Sequence, residues 1–113
     1  MQAPLRGEVW LINLDLVRGH EQAGRRPCVV VSDDLYNRGA SGKHIVLPIT
    51  SKFKGIPYHV EVTPPEGGLR TKSYVMCDDV RSVSRERLSK RLGSVSPQIV
   101  LLAEDSLRVL MGL

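Results

Sequence analysis

The sequence predicts a mainly β domain, a small and strongly bent antiparallel barrel or sheet closed by a single C-terminal helix. Three observations lead there. Six short β-rich runs are divided by clusters of Gly, Pro, Asp and Asn, the punctuation of an all-β chain. From Ser96 onward the apolar residues recur at three- and four-residue spacing, which is helical. The chain has 113 residues, 42% of them apolar, enough for one compact domain with a core and too apolar for disorder.

The elements follow in order. Residues 7–13 (GEVWLIN) and 27–32 (PCVVVS) read as buried strands, and residues 33–37 (DDLYN) suit a single helical turn. Residues 44–50 (HIVLPIT) form the third strand. Pro48 within it has no N–H for a ladder, which points to an edge or a bulge. In residues 58–63 (YHVEVT), Val60 and Val62 alternate with polar neighbours, as in a half-buried strand. Residues 73–80 (SYVMCDDV) and 91–95 (RLGSV) complete the set. Ser96 is then a good helix cap and Pro97 a good first-turn residue. Ile99, Leu102, Ala103, Leu107, Leu110 and Met111 make the inward stripe, with Glu104, Asp105 and Arg108 outward and Gly112 as the stop.

Composition narrows the classes of function. There is no internal repeat, linker or low-complexity segment. No run approaches the about 18 apolar residues of a membrane span. The N-terminus MQAPLRGEVW carries no apolar export signal, so a cytoplasmic location is expected, with no membrane partner. Cys28 and Cys77 sit in apolar runs and read as reduced, buried thiols. No CxxC or HxxxH spacing exists, so neither a metal nor another cofactor is expected. The formal charge of +4, concentrated in SKFK, RTK and RSVSRERLSKR, suits a polyanionic partner, either nucleic acid or an acidic protein segment.

The densest chemistry lies in GHEQAGRRP, residues 19–27, between two strand-like runs. Arg25 and Arg26 offer rigid, permanently charged forks that match phosphate. If a strand begins there, one points into a groove and the other out. His20 has an intrinsic pKa of about 6.5 and can exchange a proton, though a lone histidine fits a structural role as well. Thr50 and Ser51 end a strand, where hydroxyls either meet a ligand or cap the strand. Asp78 and Asp79, adjacent on a strand, face opposite sides. At most one lies toward a groove, as a general base or a partner for histidine, and the other is solvated or paired with Arg81. GASGKH, residues 39–44, has two residues between its glycines rather than four and no Ser or Thr after the lysine. It reads as a hairpin tip, not a phosphate loop.

RGEVWLINLD, GHEQAGRRPCVVVSDDLYN, IVLPITS, YVMCDDVRSVS and LGSVS occur in that order. Together they resemble the MazF/PemK/Kid toxins of bacterial toxin–antitoxin modules, from Arg6 to Leu113. The resemblance implies an SH3-like barrel with a C-terminal helix, a homodimer, and metal-independent cleavage of single-stranded RNA at short sequences. It also implies a cognate antitoxin whose acidic, partly disordered tail blocks the RNA groove. By position, Arg26 corresponds to the arginine that stabilises the attacked phosphate and can act as acid, and Thr50 to the hydroxyl on that phosphate. His20, Glu21 and Gln22 match a loop touching RNA and antitoxin, and Arg25 a backbone contact. Asp78 matches the proposed base of the Kid-like branch; the arginine proposed there as acid is Met76 in this chain, which shifts weight onto Arg26 and Thr50. Ser51, Asp79 and Arg81 join the expected RNA contacts, Asp79 standing where many members have Gln. Two alternatives remain: a gyrase poison like CcdB, which shares the fold, or a non-catalytic RNA-binding relative. CcdB-like poisons depend on a C-terminal Trp-Gly-Ile, whereas this chain ends Met111-Gly112-Leu113.

Overall fold

The structure is a computed structural model and describes residues 3–13 and 24–113. Its strands are β1 (Glu8–Asn13), β2 (Arg25–Val30), β3 (Lys43–Thr50), β4 (His59–Val62), β5 (Ser73–Met76), β6 (Arg81–Ser84) and β7 (Leu88–Ser94). The helices are α1 (Asp34–Asn37) and α2 (Pro97–Met111), with tight 3₁₀ turns at Glu66–Gly68, Cys77–Asp79 and Arg85–Arg87. The order in the antiparallel sheet is β4-β5-β3-β2-β1-β7, and β6 also pairs with β3. The sheet bends like a barrel, and no ladder joins its end strands β4 and β7.

Strand β3 is the spine, not an edge. One side pairs with β2. The other pairs with β6 over Lys43–Val46 and with β5 over Ile49–Thr50. Pro48 falls in the gap where one partner has ended and the next has begun, so no ladder bond on that side needs its N–H. The expected edge is therefore corrected to a change of partner within a central strand.

That change of partner also splits the run 73–80. Strand β5 stops at Met76, Cys77–Asp79 turn, and β6 returns along the other half of β3. The last strand begins at Leu88, not Arg91, because residues 88–90 pair with β1 despite their polar character. Leu88 is its buried anchor there, while Ser89 and Lys90 face solvent, as an end strand allows.

The continuous apolar runs in β1, β2 and β3 are explained by burial on both faces. Val9, Val29, Leu47 and Ile49 join one cluster, and Trp10, Ile12, Cys28, Val30 and Val46 the other. Helix α2 covers the first. The Ser96 hydroxyl accepts from the Ile99 N–H at 3.3 Å, and Gly112 ends the helix in the left-handed region at φ 72°. Its contact row is narrower than the sequence stripe. Ala103 is buried, with Ile99, Val100 and Leu107 packed beside it. Leu102, Leu110 and Met111 are 46%, 38% and 60% exposed, because the helix meets the bent sheet along one row only. Gly68, at φ 71°, lets the turn lie against β7; a Cβ there would collide with the Leu92 carbonyl oxygen.

Candidate functional site

Arg25 and Arg26 open β2, and both are exposed. Register decides where they point. Ile12 is opposite Arg26 and Trp10 opposite Cys28. Arg26 therefore shares the face of Ile12, Trp10 and Cys28, while Arg25 takes the other. On the far side of β2, Cys28 faces Pro48. The same register carried two residues further sets Arg26 against Thr50. A guanidinium and a hydroxyl thus meet where the apolar face of the sheet runs out.

They line one groove of about 540 Å³ with Ser51, Lys52, Lys54 and Arg70. Thr71 and Ser73 complete its polar side, and Ile49, Leu69 and Met76 are its apolar wall. Four cations and no carboxylate stand among its described lining residues. Such a groove concentrates polyanions. Thr50 Oγ1 accepts from the Lys52 N–H at 3.1 Å, which orients the hydroxyl and leaves its proton to donate. The basic runs SKFK and RTK were visible in the sequence; their convergence on the strand end of Thr50 was not.

The two carboxylates separate, as expected for neighbours, but on a turn and not on a strand. Asp78 does not line the groove. Its Oδ1 lies 3.0 Å from Nε2 of His59, whose side chain is only 5% exposed. The sequence reading missed His59. Asp79 pairs with Arg81 at 3.3 Å. Both border a smaller recess of about 140 Å³, which shares Arg26, Ile49 and Met76 with the large groove. Arg81 in turn borders a third, basic recess with Lys43 and Arg87. Arg26, Thr50 and Ser51 are thus brought together, Asp79 and Arg81 stand next door, and Asp78 is set apart. His20, Glu21 and Gln22 lie outside the described residues.

Other reactive groups belong to the scaffold. Burial pushes the Cys28 thiol up to about 12 and Cys77 up to about 11, so neither is a nucleophile at neutral pH. Both are free cysteines. His44 is buried, with Nε2 2.9 Å from the Pro4 carbonyl oxygen, and burial holds its pKa below the usual value. Among the described residues no group of three or more His, Cys, Asp or Glu is placed to hold a metal, and no helix is long and apolar enough to cross a membrane.

The sequence matches the family model of the PemK-like, MazF-like toxins of type II toxin–antitoxin systems over residues 5–111. It is 34% identical to the endoribonuclease MazF9 of Mycobacterium tuberculosis, covering 96% of each chain. It is 32% identical to the endoribonuclease toxin MazF of Escherichia coli, covering 96% of this chain and 95% of that one. Among solved structures, MazF in a MazE–MazF crystal from Deinococcus radiodurans superposes with a TM-score of 0.87 at 31% identity, over 100% of this chain and 99% of the other. An endoribonuclease in complex with its cognate antitoxin, from a mycobacterial species, gives 0.80 at 28% identity, over 98% and 97%.

Proposed function

This chain belongs to the PemK-like, MazF-like toxins of type II toxin–antitoxin systems, and from that membership and its groove we propose how it acts. It is an endoribonuclease toxin, with single-stranded RNA as substrate and a cognate antitoxin as regulator. One observation carries the mechanism: Arg26 and Thr50 share a groove lined by four cations. The barrel-like fold is common to the gyrase-poison alternative, but the arginine-and-hydroxyl groove and the near full-length endoribonuclease relatives favour RNA cleavage.

The proposed reaction is an internal transesterification. The ribose 2′-oxygen attacks the adjacent phosphorus and gives up its proton, and the bond from phosphorus to the 5′-oxygen breaks. The departing oxygen takes a proton, leaving a 2′,3′-cyclic phosphate and a 5′-hydroxyl. Charge accumulates on the non-bridging oxygens, where Arg26 supplies a fixed fork and Thr50 a hydroxyl donor. Arg26 is also the proposed proton donor to the leaving oxygen, the role that the family resemblance implies for it. Of the two proton acceptors that the sequence offers, Asp78 is tied to His59 outside the groove, which leaves the His20 imidazole as the proposed base. Lys52, Lys54 and Arg70 hold neighbouring phosphates. The acidic tail expected of an antitoxin suits the same cations, so inhibition is competition for the groove.

Homodimerisation fits the outer face of α2. Leu101, Val109 and Met111 are exposed on a helix that a single copy covers on one row only. The decisive experiment maps cuts in a long RNA by primer extension, with EDTA present. Discrete cuts with 5′-hydroxyl ends are expected. An RNA left whole by folded protein, or cut only when a divalent metal is added, refutes the reading.

A further inference from the structure

The small recess beside Arg26 is unlike the grooves on either side of it. Its most buried residues, Cys28, Ile49 and Ile12, are apolar, and Pro48 lies next to them. Arg26 and Met76 form the wall shared with the phosphate groove. At the accessible edge stand one acceptor and one donor, Asp79 and Arg81, 3.3 Å apart. Basic recesses continue from both ends, one through Arg26 and the other through Arg81. A single strand laid along this path sets its backbone in the basic stretches. In the middle it meets a pocket with a greasy floor and a hydrogen-bonding rim, the pattern that receives an unstacked base.

Size and polarity narrow the choice. The recess measures about 140 Å³, and a cavity of ~150 Å³ takes one benzene ring. One six-membered ring therefore fits. The Met76 thioether supplies a soft surface for the ring face or edge. A carboxylate at neutral pH only accepts hydrogen bonds, and a guanidinium only donates. Cytosine presents the matching pair side by side on its Watson–Crick edge, a donor at N4 and an acceptor at N3. Uracil reverses both, with an acceptor at O4 and a donor at N3.

We infer that this recess is a cytosine-reading pocket flanking the scissile phosphate, with Asp79 accepting from the N4 amino group and Arg81 donating to N3. The inference rests on the RNA-cleaving reading and adds a base to it. Asp79 is then a specificity-determining residue and has no part in the chemical step.

The test uses purified full-length protein and oligoribonucleotides that differ only by cytosine or uracil at each position around the cut. Cleavage is followed at single turnover, and binding is measured with a 2′-deoxyribose at the cut site, which removes the attacking oxygen. Wild type is expected to favour cytosine over uracil by about 5- to 150-fold at one flanking position, in binding as well as in cleavage. In Asp79→Asn, whose amide can donate to O4, that preference is expected to fall towards equality at the same position and nowhere else. Wild type indifferent to cytosine and uracil at every position overturns the proposal, whatever the variant does. So does a folded Asp79→Asn that keeps the wild-type preference. Cytosine-selective binding without cleavage of any RNA supports the pocket and refutes the nuclease reading instead.

Discussion

Replacing Arg26 with alanine tests the mechanism where it is most exposed. Two unit charges at ~4 Å interact by ~4 kcal/mol at an effective dielectric of ~20, the regime of a groove open to water on one side. A tenfold change in rate corresponds to ~1.4 kcal/mol. Losing the guanidinium therefore costs up to about three decades, in line with the ~10²–10³ typical of one oxyanion-stabilising donor. The fold has little reason to suffer, because Arg26 is exposed at the start of β2 and the buried cluster on its face begins in that strand with Cys28. A stability change within ~0.5 kcal/mol is expected. Arg26→Lys keeps the charge without the fork, so its rate falls between the two. The assay is kcat/KM on a short RNA with one cut site, alongside a urea melt. A folded Arg26→Ala with wild-type kcat/KM refutes the role of this side chain. A rate loss matched by an equal loss of folded protein refutes the claim that the groove, and not the fold, is affected.

Four further outcomes follow from named features. Thr50→Ala removes the hydroxyl donor and is expected to lower kcat by about 10-fold or more, with Thr50→Ser recovering most of it; equal rates for both variants remove the hydroxyl from the mechanism. Leu47 is fully buried in the core cluster that α2 covers, so Leu47→Ala is expected to cost about 2–5 kcal/mol in chemical denaturation, and a loss below about 1 kcal/mol contradicts the packing. Gly68→Ala meets both a left-handed backbone and the Leu92 carbonyl, and a midpoint unchanged in the same assay contradicts that close approach. His44 has a folded pKa below its usual value of 6.5 because of burial, so on acidification the unfolded chain binds the proton first. Its contribution to stability is complete above about pH 6.5 and is lost as pH falls from there toward the folded pKa. Denaturation midpoints that rise on acidification through that window, or an NMR titration of His44 above 6.5, contradict the assignment.

Much of the scaffold was legible because it rests on local chemistry. Ser96, Pro97 and Gly112 bound a helix whatever surrounds it, and the apolar runs at 7–13, 27–32 and 44–50 became β1, β2 and β3 with small shifts at their ends. The segments misread were those whose structure depends on distant partners. Residues 81–84 and 88–90 are too polar to look like strands, and they become strands because β3 and β1 have ladder positions to fill. Pro48 reads locally as an edge signal, yet it occupies a gap between two partners that exists only once β3 has bent.

The candidate site divides in the same way. Sequence alone determined which groups were available: a permanently charged pair before Pro27, a hydroxyl at a strand end, two adjacent carboxylates, and scattered lysines and arginines. Tertiary structure decided which of them meet. Antiparallel register, with its period of two, sends Arg26 toward Thr50 and Arg25 away from it. A three-residue turn, Cys77–Asp79, in place of a strand gives Asp78 to His59 and Asp79 to the recess. Residue identity is set by the chain itself. Facing and neighbourhood are set by pairings between segments tens of residues apart, and no local pattern encodes those.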